Sequence, residues 1–180
     1  MIGFLNSRQY HVFRLTLKGH GGAPFSDMKQ VDQTKWLDDV GAGIDEIRNR
    51  FPDDEKILMA YSLGALTALE YQLRSGRQIF NRQILLAPSI QLKPYVYLVQ
   101  PLTFVFPALL SRSPAPYQAN ANWTASAAYR AMFELLNQFR YRDDYTIVNS
   151  DTLVLMRDND ELVSYDDIRK WMGQFKMTRW

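Results

Sequence analysis

Short β-rich runs that alternate with segments of helical period limit this chain to a small set of architectures. His11-Val12-Phe13-Arg14-Leu15-Thr16-Leu17 alternates apolar and polar residues and stops at Lys18-Gly19-His20-Gly21-Gly22, which predicts a strand and a loop. From about Thr34 to Arg50, Trp36, Leu37, Val40, Ile44 and Ile47 fall at helical spacing, with Asp38, Asp39, Asp45 and Arg48 on the other face. Lys56-Ile57-Leu58-Met59-Ala60-Tyr61 is too short and too apolar for a surface helix and predicts a strand buried on both faces. A helix from about Gly64 to Arg74 follows, then a second buried strand ending at Ala87, stopped by Pro88. After a proline-rich stretch come a helix over Ser126 to Arg140, a strand over Thr152 to Met156 and a helix over Tyr165 to Phe175. Strand–helix alternation of this kind predicts an α/β fold, a mostly parallel sheet with helices on both faces. The 180 residues make one domain, interrupted by an insertion over about 89–125.

Composition removes several function classes. Net charge is +2 and bases are interleaved with acids, so no nucleic-acid footprint is present. With no cysteine and two histidines, the sequence excludes disulfides, thiolate catalysis and zinc sites of the usual ligand sets. Cysteine-free composition suits a reducing compartment, and the cytoplasm is the expected location. The first ten residues lack the basic and apolar regions of a signal peptide. Pro94 to Leu110, the most apolar stretch, is too short and too broken by prolines to span a membrane. Gly19, Gly21 and Gly22 have neither dinucleotide-binding nor P-loop spacing, and no cofactor is expected. Asp143-Asp144 and Asp166-Asp167 point in divergent directions and read as helix-start or solvated acids rather than metal ligands.

The chemistry concentrates at Ala60-Tyr61-Ser62-Leu63-Gly64, between a strand and a helix. A serine there sits on a turn sharp enough to raise its hydroxyl above the sheet, provided that its near neighbours are small. Ala60 and Gly64 meet that demand, and the Leu63 N–H lies at a helix N-terminus, where it can donate to a developing oxyanion. The competing reading makes Ser62 an ordinary helix N-cap. Ser89, Ser111 and Ser113 have no such strand–helix context.

With this motif in place the sequence resembles the α/β-hydrolase superfamily, in particular its carboxylesterase and monoacylglycerol-lipase-like (lysophospholipase-like) members. Leu15 to Gly22 is similar to the family's strand and GHG loop, and Trp36 to Val40 to its next helix. Met59 to Leu66 resembles the elbow, Leu85-Leu86-Ala87-Pro88 the strand before the cap, and Ala127 to Ala131 a helix returning from it. The resemblance implies an α/β-hydrolase fold and a serine hydrolase of carboxylic esters, with Ser62 as nucleophile and the Leu63 N–H in the oxyanion hole. It also implies Asp160 as the catalytic acid, within Arg157-Asp158-Asn159-Asp160-Glu161-Leu162-Val163. Asp158 is the near alternative, and turn-forming acids in a surface loop are the plainer one.

The general base has no counterpart. The family order is Ser, Asp, His, yet no histidine follows Asp160. His20, in the GHG loop, and His11, at a strand start, read as structural. Met1 to Gln9 resembles the tail of the family's first helix, so the loop that supplies a second oxyanion donor is not represented either. The chain therefore reads as incomplete at both ends and nearly inactive alone, because triad members act as a unit. The alternative is a non-catalytic α/β-hydrolase-like binding or interaction protein. In the insertion, Tyr95 to Val99, Leu102, Phe104 to Phe106, Leu109 and Leu110 suggest a lid over Ser62 that favours a small-molecule ester or lipid-like substrate. Such a surface also allows transient lipid contact or homo-oligomerisation.

Overall fold

The structure, a computed structural model, describes residues 2–110 and 123–180. A short helix α1 (Ile2–Ser7) and a single turn α2 (Phe25–Met28) precede the long helix α3 (Gln33–Arg50). The Asp32 side chain caps α3 by accepting from the Lys35 N–H, and the helix buries Trp36, Leu37, Val40 and Ile44. Then come β1 (Ile57–Tyr61), α4 (Leu63–Ser75) and β2 (Arg82–Leu86). Gly76, in the left-handed conformation at φ 65°, ends α4. The insertion holds a 3-10 turn (Pro94–Leu98), α5 (Val99–Val105) and the antiparallel pair β3 (Ala108–Leu110) and β4 (Trp123–Ala125). The chain closes with α6 (Ser126–Arg140), β5 (Asp151–Leu155) and α7 (Tyr165–Gln174). Ser111 and Ser113 lie outside the described residues.

The main sheet has the order β1-β2-β5, all parallel, with Met59 level with Ile84 and Ile84 level with Leu153. Parallel pairing puts the C-terminal ends of β1, β2 and β5 along one edge, where ligand sites of open α/β sheets form. Leu58, Ala60, Leu85 and the helices α3, α4, α6 and α7 contribute to one continuous core with Leu66, Leu69, Leu135, Phe139 and Trp171. Beneath α4 the buried Gln83 donates to Ser150 Oγ at 2.6 Å and to the Val148 carbonyl at 3.0 Å, tying β2 to the entry of β5. Glu70, 1% exposed, is held by the Arg142 guanidinium through two hydrogen bonds, one of them 3.1 Å. That carboxylate raises the Arg142 pKa, since its hydrogen bond outweighs the cost of desolvation.

Three expectations are corrected. His11 to Leu17 is extended chain and not a strand; it has no ladder partner among the described residues. Side chains hold it to α3 instead: His11 stacks on Phe51, the Lys18 N–H donates to Asp39, and Trp36 Nε1–H donates to the Lys18 carbonyl. Alternation alone cannot make a strand without a neighbour to accept its hydrogen bonds. Second, β1 is an edge strand and is not buried on both faces. Ile57, Met59 and Tyr61, with Leu153 and Leu155 of β5, line a sheet face that is 38–59% exposed at these positions. Among the described residues these side chains stay exposed on that face, while helices pack against the other. Third, a Cβ added at Gly64 meets no atom within 4 Å, so the expected crowding there is absent.

Candidate active site

Ser62 is the residue between β1 and α4, and its backbone stands at φ 49°, ψ −116°. An L-residue rarely adopts that conformation, and only a turn fixed from both sides keeps it there. Both anchors are visible. The Ser62 N–H continues the sheet by donating to the Leu86 carbonyl at 2.9 Å. Its carbonyl accepts from Ala65 and Leu66 in the first turn of α4 and from the Ser89 N–H. The side chain makes no capping hydrogen bond to α4, so the N-cap reading does not describe it. Instead, the Ser62 hydroxyl is hydrogen-bonded to the Ser89 hydroxyl at 2.8 Å.

Ser89 is 4% exposed and lies three residues beyond the end of β2, after Ala87, itself at φ 42°. In the sequence no strand–helix junction marks it. The usable signal was register: Tyr61 is level with Leu86, so the residues after β2 emerge beside those after β1. The Leu63 N–H is the first of α4 and, like every helix-opening N–H, has no carbonyl four residues earlier within the helix. Its place next to Ser62 puts it at the same edge.

Asp160 lies in the loop after β5, at the same edge. Its Oδ1 accepts from the N–H groups of Leu162 at 3.0 Å and Val163 at 2.8 Å, a self-closing turn. The loop is fastened to the segment that carries Ser89: Leu92 bridges Val163, the Lys93 N–H donates to the Leu162 carbonyl, and the Lys93 ammonium donates to the Asp160 carbonyl. Ser62 is thus hydrogen-bonded to Ser89, and the chain that continues from Ser89 is in turn hydrogen-bonded at residues 91–93 to the Asp160 loop and the start of α7. Asp158 is exposed, and its Oδ1 accepts from the Asn159 N–H.

Neither histidine joins this group. His20 packs edge-on against Trp36 at 5.6 Å and its Nδ1 lies 3.3 Å from the Lys18 carbonyl, while His11 stacks on Phe51 at 4.2 Å. One acid of each pair noted in the sequence also has local partners. Asp144 accepts from the hydroxyl and N–H of Thr146, which lower its pKa, and Asp167 is held low by the Ser164 hydroxyl and Lys170 at the start of α7. The described insertion is bolted to α6 by Ser126 Oγ donating to the Phe106 carbonyl and by Arg130 donating to the Thr103 carbonyl. Its apolar residues do not form an enclosed roof: Leu98, Phe104 and Val105 are 71–73% exposed. A cleft of about 490 Å³ between the insertion, α6 and α7 has Tyr97, Arg140 and Lys170 in its wall, not Ser62 or Asp160.

A parallel sheet whose strand runs through a strained serine directly into a helix places the molecule in the α/β-hydrolase class. Residues 1–167 match the family described as serine aminopeptidase, S33, and the chain belongs to it. Similar solved structures include those of LipS and LipT, two metagenome-derived lipolytic enzymes, at TM-score 0.68 and 12% identity, covering 88% of this chain and 64% of that one. A soluble variant of monoglyceride lipase from Saccharomyces cerevisiae, bound to a substrate analogue, gives TM-score 0.64 and 11% identity, over 87% of this chain and 62% of that chain. Est1E from Butyrivibrio proteoclasticus gives 0.54 at 16% identity, over 81% and 58%. At such identities the likeness speaks for the fold, and the chain spans under two thirds of the length of these neighbours. No curated protein matches it. Among the described residues, no helix is long and apolar enough to cross a membrane.

Proposed function

We propose that this hydrolase-family chain carries the nucleophile and acid of a carboxylic-ester hydrolase, with Ser62 attacking the ester carbonyl. The observation that carries the reading is the Ser62 turn, at φ 49°, with a hydroxyl withheld from capping and set at the sheet's C-terminal edge. In the acylation step the Ser62 Oγ–carbonyl bond forms, the carbonyl electron pair moves to oxygen beside the Leu63 N–H, and the Ser62 proton passes to a base. Collapse expels the alcohol, which takes up a proton. Asp160 is the acid that would orient an imidazolium. Ester rather than peptide chemistry is supported by the aromatic insertion, which has no acidic residue, and by lipolytic neighbours, although the family description names an aminopeptidase.

Both histidines are engaged away from Ser62, which supports very low turnover by residues 1–180 alone and keeps a non-catalytic binding role as the second reading. The same reading takes in a lipid-like ester as substrate, transient lipid contact and self-association through the exposed apolar surfaces, and a cytoplasmic location. Added imidazole tests it. Short-chain p-nitrophenyl esters should be turned over several orders of magnitude below ordinary esterase rates, rising with imidazole above the imidazole blank. Ser62→Ala should remove that increment. An aminoacyl p-nitroanilide serves as the peptidase arm. An increment that survives in Ser62→Ala, or none at all, sinks the nucleophile reading in favour of the binding one.

A further inference from the structure

Ser89 is buried, and its hydroxyl has Ser62 Oγ as its partner at 2.8 Å. Two hydroxyls can share a hydrogen bond in either direction, and burial decides which. Ser89 is 4% exposed, so its proton needs an acceptor inside the protein; Ser62 is half-buried, and water can accept from it. The Ser89 hydroxyl therefore donates to Ser62 Oγ. A second contact fixes the pair, because the Ser89 N–H donates to the Ser62 carbonyl at 3.3 Å. Positive φ at both Ser62 and Ala87 bends the two strand exits into this arrangement.

We infer that Ser89 is a positioning residue for the nucleophile: its hydroxyl holds Ser62 Oγ, turns the Ser62 proton outward toward an incoming base, and stabilises negative charge growing on Oγ as that proton leaves. The inference rests on the reading of Ser62 as nucleophile. A hydrogen bond to the charged form favours that form, so removing the donor makes Ser62 harder to ionise and slower to react.

The test is the rate at which a fluorophosphonate modifies the full 180-residue chain with imidazole present. In that reaction a Ser62 Oγ–P bond forms, the P–F bond breaks, fluoride leaves and imidazole takes the proton. Ser89→Ala should slow labelling at Ser62 by about tenfold or more and steepen the dependence of the rate on base strength across a series of substituted imidazoles. Ser89→Thr, which keeps the hydroxyl, should restore most of the rate. A urea unfolding midpoint within the ordinary range for both variants separates chemistry from misfolding. Equal rates and equal dependence on base strength for wild type and Ser89→Ala overturn the inference and leave the nucleophile reading intact. No labelling of wild-type Ser62 at any pH overturns both. If Ser89→Thr does not fold, the base-strength dependence of Ser89→Ala decides alone.

Discussion

Replacing Ser62 by glycine and by alanine, and comparing the two variants, isolates the strain in the turn. Both changes remove the hydroxyl and its bond to Ser89, so that loss cancels in the comparison. Alanine keeps a Cβ at φ 49°, ψ −116°, and keeps the strain; glycine does not. Release of such strain is worth about 1–3 kcal/mol. The greater freedom of glycine in the unfolded chain takes back about 0.5–1 kcal/mol. Ser62→Gly should therefore be more stable than Ser62→Ala by about 1 kcal/mol, the reverse of the usual order inside regular structure. With a urea slope of about 2 kcal/mol/M this is a midpoint shift of about 0.5 M, and in thermal unfolding about 2–4 °C. Equal slopes for the two variants are needed to read the shift as stability. If Ser62→Ala proves the more stable by about 0.5 kcal/mol or more, the turn is not strained and the structural basis for the nucleophile reading falls.

Arg142→Ala strands the buried Glu70 carboxylate and should cost about 3–5 kcal/mol, read by denaturant unfolding, with Arg142→Ala/Glu70→Gln recovering a good part of it. Asp160→Asn keeps the Oδ1 acceptor for Leu162 and Val163, and neither histidine has a hydrogen bond to Asp160 among the described residues. The substitution does remove the charge that would stabilise an imidazolium beside Ser62, so imidazole-assisted labelling should fall about tenfold, whereas a change of about twofold or less would separate Asp160 from Ser62. Asp32, Asp144 and Asp167 all have folded pKa values below their ordinary ones, from hydrogen bonds to the Lys35 N–H, to Thr146 and to the Ser164 hydroxyl respectively. Their stabilisation is complete above about pH 5 and is lost as pH falls through the unfolded and then the folded values, so urea midpoints should drop progressively below about pH 5. Asp32→Asn should flatten part of that drop.

The elements that pack against one another were legible, and the missing neighbours were not. Helix α3 was readable because Trp36, Val40 and Ile44 share a stripe, and β1, β2 and β5 because short apolar runs end at turn residues. Ile57, Met59, Leu153 and Leu155 look like core residues in the sequence, since composition reports affinity for an interior and not whether anything covers the side chain. The same limit explains His11 to Leu17, whose alternation is that of a strand but whose polar groups find α3. At the site, Ser62 announced itself through its local context. Ser89 depends on the register of β1 against β2, a non-local quantity that a linear reading does not contain.

The uncovered sheet face has a consequence for how this chain behaves in a test tube. Parallel sheets form slowly because distant segments must meet first, and here, among the described residues, the product still presents exposed aliphatic side chains on the outer strands β1 and β5. Refolding is then a race between intramolecular closure, which is independent of dilution, and strand-to-strand encounter of separate molecules, which is not. The yield of native protein should fall as concentration rises. A charged residue at Leu153, where the side chain already meets solvent, is the change best placed to slow the second process while leaving the first untouched.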